Sequence, residues 1–360
     1  MWHSSMRRWA QSAAAAAALA AAPAVAQGVN IATYKGADRQ NLLIDGAKKE
    51  GKVVFYSGMI VDQALLPVSK GFKAKYPFVD LQFWRGTSRD IILKVITEAK
   101  AGRPEADVFE SSGVAEPTMK QGVVQQYWSP ELSALPAAYV DPNGWWSAYR
   151  VNYFGLAYNS SRVPTAQVPK THDDLLDPKW KGRMAWHAES ESGANLFIAN
   201  VLLARGKDAT ANYLEKLSKQ DIANFHGSAR ALVDKVGEGE YDLGIEIFAH
   251  HPLISKAIGA PLDAQMLSPV SSTFGTMMLV KNAPHVHSAM LLIDYLQSKE
   301  GQEILRKADY LSARPDVEAD AKLQKIIPER NGLKEQVFTP ARLFETRDDA
   351  NRLFSQYFKE

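Results

Sequence analysis

The sequence predicts an α/β protein of two lobes, and three observations carry that expectation. Three strand–turn–helix units follow one another between residues 53 and 122, the same grammar returns over 183–247, and an aromatic, strand-like stretch at 145–159 lies between them. Successive βα units imply parallel strands with right-handed crossovers. At 360 residues the chain also exceeds what one hydrophobic core usually organises.

Residues 1–26 read as a secretory leader. Arg7 and Arg8 form its positive region, residues 13–22 with Leu19 its short apolar segment, and Ala24-Val25-Ala26 its cleavage signature. The mature chain is expected to begin at Gln27. Met6-Arg7-Arg8-Trp9-Ala10 is a poor twin-arginine pattern, which favours the general secretory route. No stretch approaches the roughly 18 continuous apolar residues of a membrane helix. There is no cysteine, hence neither a lipoprotein anchor nor a disulfide; a bacterial periplasm is the expected compartment. Cleavage removes two of the 42 basic residues and none of the 40 acidic ones. The resulting neutral chain argues against non-specific nucleic-acid binding, which needs a basic surface.

Val53-Val54-Phe55-Tyr56 is a β-type run that stops at Ser57-Gly58, and 61–75 is helical with Leu65, Leu66, Val68 and Phe72 apolar. Residues 79–84 read as a strand, Arg85-Gly86-Thr87-Ser88 as a turn with Ser88 as N-cap, and 89–101 as a helix with Val95, Ile96 and Ala99 inward. A third strand at 106–110 ends at Ser111-Ser112-Gly113 before a helix at 114–122. In the second lobe, a strand at 183–187, a polar turn 189–193 and a helix at 194–204 are followed by helices at 209–218 and 229–236 and a strand at 241–247. Residues 276–280 read as a return strand and 287–297 as a helix. That return makes both lobes discontinuous, 27–148 with about 268–315 and 149–267 with about 316–360, able to hinge around a cleft.

Several segments resemble the periplasmic solute-binding proteins of ABC importers, in their ferric-ion- and anion-binding branch. They are Ala106-Asp107-Val108-Phe109, the stretch 173–183 with its Asp-Pro-Lys-Trp-Lys-Gly-Arg, Gly237-Glu238-Gly239-Glu240-Tyr241-Asp242, and Ser298-Lys299-Glu300-Gly301-Gln302 followed by Ala313-Arg314-Pro315-Asp316. The resemblance implies a type II periplasmic-binding-protein fold with a hinge and an interlobe cleft, closure on one solute and docking to an inner-membrane permease. The ferric members' ligand positions fall at Ile60, Ser112, and Ala249 with His250. The tyrosine pair is therefore missing, and hard Fe(III) loses its oxygen donors.

Helix N-termini present unpaired N–H groups and partial positive charge, so turns carrying Ser and Gly there make anion sites. Ligand sites in open α/β sheets lie at such strand ends. This selects Ser57 and Gly58, Thr87 and Ser88, Ser111 and Ser112, and Ser192, Gly193 and Ala194; the last turn matches the family's anion-holding turn residue by residue. Each is also compatible with ordinary capping. Arg85 and Arg150 are able to fork a phosphate or carboxylate, or to form structural salt bridges. Trp84, Tyr149 and Phe248 are candidate walls for a carbon skeleton. Glu246 with His250 and His251, or His187 with Glu189 and Glu191, offers an alternative metal set of Zn(II) or Fe(II) type, without a recognised spacing. The Gly-x-Ser-x-Gly elbow fails at Asp90, and there is no zincin, Walker or dinucleotide motif; a hydrolase remains the rival class. The expectation is a monomeric binder of a small organic anion, such as a phosphate ester or carboxylate, with no cofactor and no nucleic-acid partner.

Overall fold

Helix α1 (Arg39–Glu50) ends at Gly51, whose positive φ lets its N–H reach Ala47 O and turns the chain directly into strand β1 (Lys52–Ser57). The computed structural model describes residues 30–188 and 192–358. The expected leader, Glu189 and Glu191 therefore lie outside the described residues. After β1, one π-type turn leads into α2 (Leu66–Lys75), then β2 (Asp80–Arg85), α3 (Ser88–Lys100), β3 (Val108–Ser111), α4 (Ala115–Lys120) and β4 (Val124–Gln125). The aromatic stretch is one long strand, β5 (Ser147–Asn159). Beyond it come β6 (Met184–His187), α5 (Ala194–Arg205), α6 (Lys207–Ser218), β7 (Ala223–Phe225), α7 (Ala229–Glu238), β8 (Leu243–Phe248), α8 (His250–Ala257) and β9 (Leu262–Gln265). The return strand is β10 (Val270–Val280), followed by α9 (Val286–Gln297), α10 (Lys299–Lys307), β11 (Leu311–Ser312), β12 (Glu335–Phe338) and α11 (Pro340–Tyr357).

The strand order is β2-β1-β3-β10-β5-β8-β6-β7. β1 pairs in parallel with β2 and β3, and β6 in parallel with β7 and β8, as crossover connections require. The two three-stranded groups are joined by β5 and β10, which run antiparallel to each other and to their outer neighbours. Residues 147–153 of β5 pair with β10, and Phe154 onward with β8 and β9. One strand thus belongs to both lobes.

Each group is covered on both faces, which explains the continuous apolar runs of its inner strands. In the first lobe α1, α2 and α9 bury Leu43, Phe72 and Ile293 against Val53 and Phe55, while Ile91, Val95 and Phe109 pack on the other face. In the second, α5 and α11 bury Phe197 and Phe354 around Trp186, and Leu232, Val233 and Val236 of α7 close the opposite side. Among the described residues no helix is long and apolar enough to cross a membrane.

Candidate functional site

The site begins with a buried carboxylate. Glu110, at the end of β3, is fully buried. Its Oε1 accepts from the Ser57 hydroxyl and, at 3.0 Å, from the Gly58 N–H. Its Oε2 faces Arg150 Nη2 at 3.4 Å. Arg150, from β5, donates through Nε to the Tyr149 hydroxyl (2.9 Å) and through Nη1 to Asn152 Oδ1 (2.8 Å). Gly275 of β10 stands opposite Arg150 in register, and a Cβ there would lie 2.6 Å from the arginine's Cγ and Nε. Only glycine leaves room for the guanidinium to cross the strand.

Above this floor lies a cavity of about 120 Å³. The first lobe contributes Gly58, Ile60, 85–88, Ser111 and Ser112; β5 and β10 contribute Arg150, Phe154 and Thr273; the second lobe contributes His187, Ser192, 228–230, Phe248 and His251, with Tyr310 and Leu343 completing the wall. The structure therefore brings together Gly58, Arg85, Thr87, Ser88, Ser111, Ser112, Arg150, Ser192 and Phe248 from the expected set. All four turns named from the sequence reach the same space.

The remaining expected residues lie behind that wall. Ser57 is engaged beneath it by Glu110 and the Met59 N–H, and Tyr149 is buried under Arg150. Gly193 and Ala194 open α5; Gly193 has φ of 80°, and a Cβ on it would meet His187 O at 2.4 Å. Glu246 is buried at the irregularity between β5 and β8, with its own φ at 54° and Oε1 unpartnered. His250 is turned toward Tyr310, ring centroids 5.3 Å apart. His251 takes the place at the cavity, because consecutive positions on a helix are about 100° apart. Trp84 packs instead on Tyr56 at the edge of the first lobe, ring centroids 5.3 Å apart. Ser88 is not the N-cap: Thr87 closes a capping box with Asp90, which leaves the Ser88 hydroxyl to meet that of Ser111 at 2.7 Å.

Sequence reasoning missed Ser228, Ala229 and Arg230. They open α7 after the three-residue strand β7, and the Gly227-Ser228 signal is the same as in the other turns. Ser228 Oγ accepts from the Ala231 N–H, and Ser112 Oγ accepts from Asn152 Nδ2 (3.0 Å). Each hydroxyl proton is thereby left available to an acceptor in the cavity.

The field is positive. Among the described residues the wall carries Arg85, Arg150 and Arg230 and no carboxylate. Arg150 is balanced by Glu110 and Arg230 by Asp234 (3.1 Å), whereas the Arg85 side chain is exposed and makes no ion pair or hydrogen bond with the described residues. Burial, reinforced by Arg150 and Arg230, pushes His250 down to about 3. Burial and the same charges, with His250, hold His251 well below the usual histidine range. Both rings are neutral at physiological pH. Among the described residues no group of three His, Asp or Glu side chains is placed to hold a metal ion.

The comparisons with known proteins converge on one architecture. Iron-bound HitA from Pseudomonas aeruginosa superimposes with a TM-score of 0.73 at 22% identity, covering 86% of this chain and 99% of that one. AfuA from Actinobacillus pleuropneumoniae, with fructose-6-phosphate bound, gives 0.71 at 24% identity over 85% and 98%. The Fe(3+)-binding periplasmic protein of Serratia marcescens is 29% identical over 191 residues, which is 49% of this chain and 54% of that protein. AfuA is a periplasmic binding protein holding fructose-6-phosphate, and the Serratia protein is named for binding Fe(3+) in the periplasm. Residues 103–332 of the 360 match the model of one family. With its two-lobed fold and an interlobe cavity, this chain belongs to the bacterial extracellular solute-binding proteins.

Proposed function

We propose that the protein is the periplasmic capture component of an ABC importer and that its solute is a small organic anion, a phosphate ester or a carboxylate. The carrying observation is the wall itself: the Arg85 guanidinium, without an ion-pair partner among the described residues, beside Arg150 and Arg230, whose partners Glu110 and Asp234 lie outside the lining, with the hydroxyl donors Ser112 and Ser228. The cavity of about 120 Å³ holds roughly four water molecules at about 30 Å³ each, the scale of a phosphate or carboxylate group. The hinge lies in β5 and β10. A solute touching both lobes stabilises the closed form by the difference in its affinity for the two forms, and a membrane permease selects that form and receives the solute chemically unchanged.

Iron is the second reading, favoured by the Serratia relative. The wall opposes it. Fe(III) calls for anionic oxygen donors, while burial raises the Tyr310 phenol, against the opposing pull of Arg150, and the Arg85 guanidinium repels a cation. Native mass spectrometry of freshly purified protein should find one retained organic anion per chain and no visible absorption band. A stoichiometric coloured iron complex overturns the anion reading.

Ser192 contributes to the wall from the turn before α5. Ser192→Asp places a negative charge at the cavity and should abolish the rise in melting temperature that the retained anion confers. Calorimetry on apo and loaded protein checks this; an undiminished rise excludes the turn from the site.

A further inference from the structure

One more donor stands in the cavity wall, on a residue that none of the strand-to-helix turns supplies. Tyr310 lies in the short connection between α10 and β11 and lines the cavity. Its side chain is almost wholly enclosed, the residue being 3% exposed. The hydroxyl oxygen accepts from the Ile60 N–H at 3.1 Å, and no acceptor among the described residues receives the hydroxyl proton. Burial keeps that proton on the oxygen. A phenol has one proton to donate, and a buried polar group left without a partner in a folded protein calls for a specific cause.

The position of this hydroxyl is fixed from several directions. The Arg150 guanidinium lies 5.4 Å from the Tyr310 ring centroid, and the His250 ring centroid 5.3 Å away. Gln63 Nε2 donates to Ala308 O at 2.5 Å. Gln63 belongs to the π-type turn Val61–Leu65, and Ile60 immediately precedes it. Widened turns of this kind are frequent at functional sites. Here the turn and the residue before it make two hydrogen bonds to 308–310, one of which orients the phenol. Neither these bonds nor the ring contacts consume the phenolic proton. Ile60, the partner of the hydroxyl, itself lines the cavity.

We infer that Tyr310 is a solute-binding residue, its phenol donating a hydrogen bond to the captured anion alongside the hydroxyls of Ser112 and Ser228. The inference rests on the anion reading above and adds to it a neutral donor from a segment that carries no anion-binding motif. Tyr310 thereby acts twice, its ring lying against Arg150 and its proton meeting the solute.

Isothermal titration of ligand-stripped protein with inorganic phosphate, methyl phosphate and acetate tests this in two variants. Tyr310→Phe keeps the ring beside Arg150 and His250 and removes the hydroxyl. For each probe that the wild type binds, its affinity should fall about tenfold or more, the scale of one hydrogen bond to a charged group. Ile60→Pro removes the N–H that the phenol accepts, at a φ of −69° that proline itself adopts, and should cost less than about threefold. A near-ultraviolet difference spectrum at saturating probe gives a second readout: the wild type should show the red-shifted tyrosine band of a phenol donating to an anion, and Tyr310→Phe should lack it. A loss below about twofold in Tyr310→Phe, an equal loss in folded Ile60→Pro, or the absence of that band from the wild type overturns the inference and leaves the anion reading intact. Binding of none of the three probes to the wild type overturns the anion reading itself.

Discussion

Replacing Arg150 by methionine should destabilise the protein by about 3–5 kcal/mol, the penalty for stripping a buried charge of its partner. Glu110 is fully buried, and after the substitution Ser57, the Gly58 N–H and the neighbouring Tyr149 hydroxyl, all neutral, are left to meet its charge. Removing the pair together, as Arg150→Met with Glu110→Gln, should recover most of the loss, because no uncompensated ion is then left inside. Urea denaturation of the two variants measures the difference. A single variant that loses less than about 1 kcal/mol would mean that the pair is dispensable to the fold, since even surface pairs reach that scale. Both variants should lose anion binding, as each lacks the guanidinium at the cavity floor. Stability and binding thus separate in the double variant, where the first returns and the second does not.

Glu246→Gln should act in the opposite direction. Burial pushes the Glu246 carboxyl up to about 8 from an ordinary 4.5, with Oε1 unpartnered. The folded form therefore keeps its proton where the unfolded chain has released it. The contribution of Glu246 to stability is therefore greatest below about pH 4.5, declines as pH rises toward 8, and levels off beyond. The shift from 4.5 to about 8 corresponds to a penalty on the order of 5 kcal/mol above pH 8, at 1.36 kcal/mol per unit. The amide carries no such penalty. Melting temperatures of wild type and Glu246→Gln should coincide near pH 4 and diverge in favour of the variant by pH 8. Parallel curves across that range would show that Glu246 is not held protonated.

Much of this architecture was legible because its signals are local. The strands at 53–56, 79–84 and 106–110 are apolar runs bounded by turn residues, the helix at 229–236 carries a clean helical period, and that at 194–204 is a long apolar run of helix-forming length, so the βα grammar emerges without tertiary information. The turns at 58, 86–88, 111–112 and 192 follow from that grammar, since crossover topology puts strand C-termini at one edge. What escaped depends on contacts far apart in sequence. β7 is only three residues long, too short for an alternation, and with it the Gly227-Ser228 turn and Arg230 were missed. His250 and His251 differ by one position, and which faces the cavity depends on where α8 begins. Tyr310 and Leu343 enter the wall from segments with no motif of their own. Glu110 read as one more strand residue; its role as counter-ion to Arg150 needs the pairing of β10 between β3 and β5.

The sharing of β5 between the two sheets bears on how the molecule comes apart. Lobes tied by flexible linkers melt independently, each with its own transition. Here one thirteen-residue strand supplies ladder hydrogen bonds to both sides, and the chain from Ile31 onward packs as one unit. Loss of either sheet strips partners from the strand that the other needs, so partial unfolding of one half carries the cost of fraying its neighbour. Cooperativity of the whole body is thus built into the backbone segment that both sheets share.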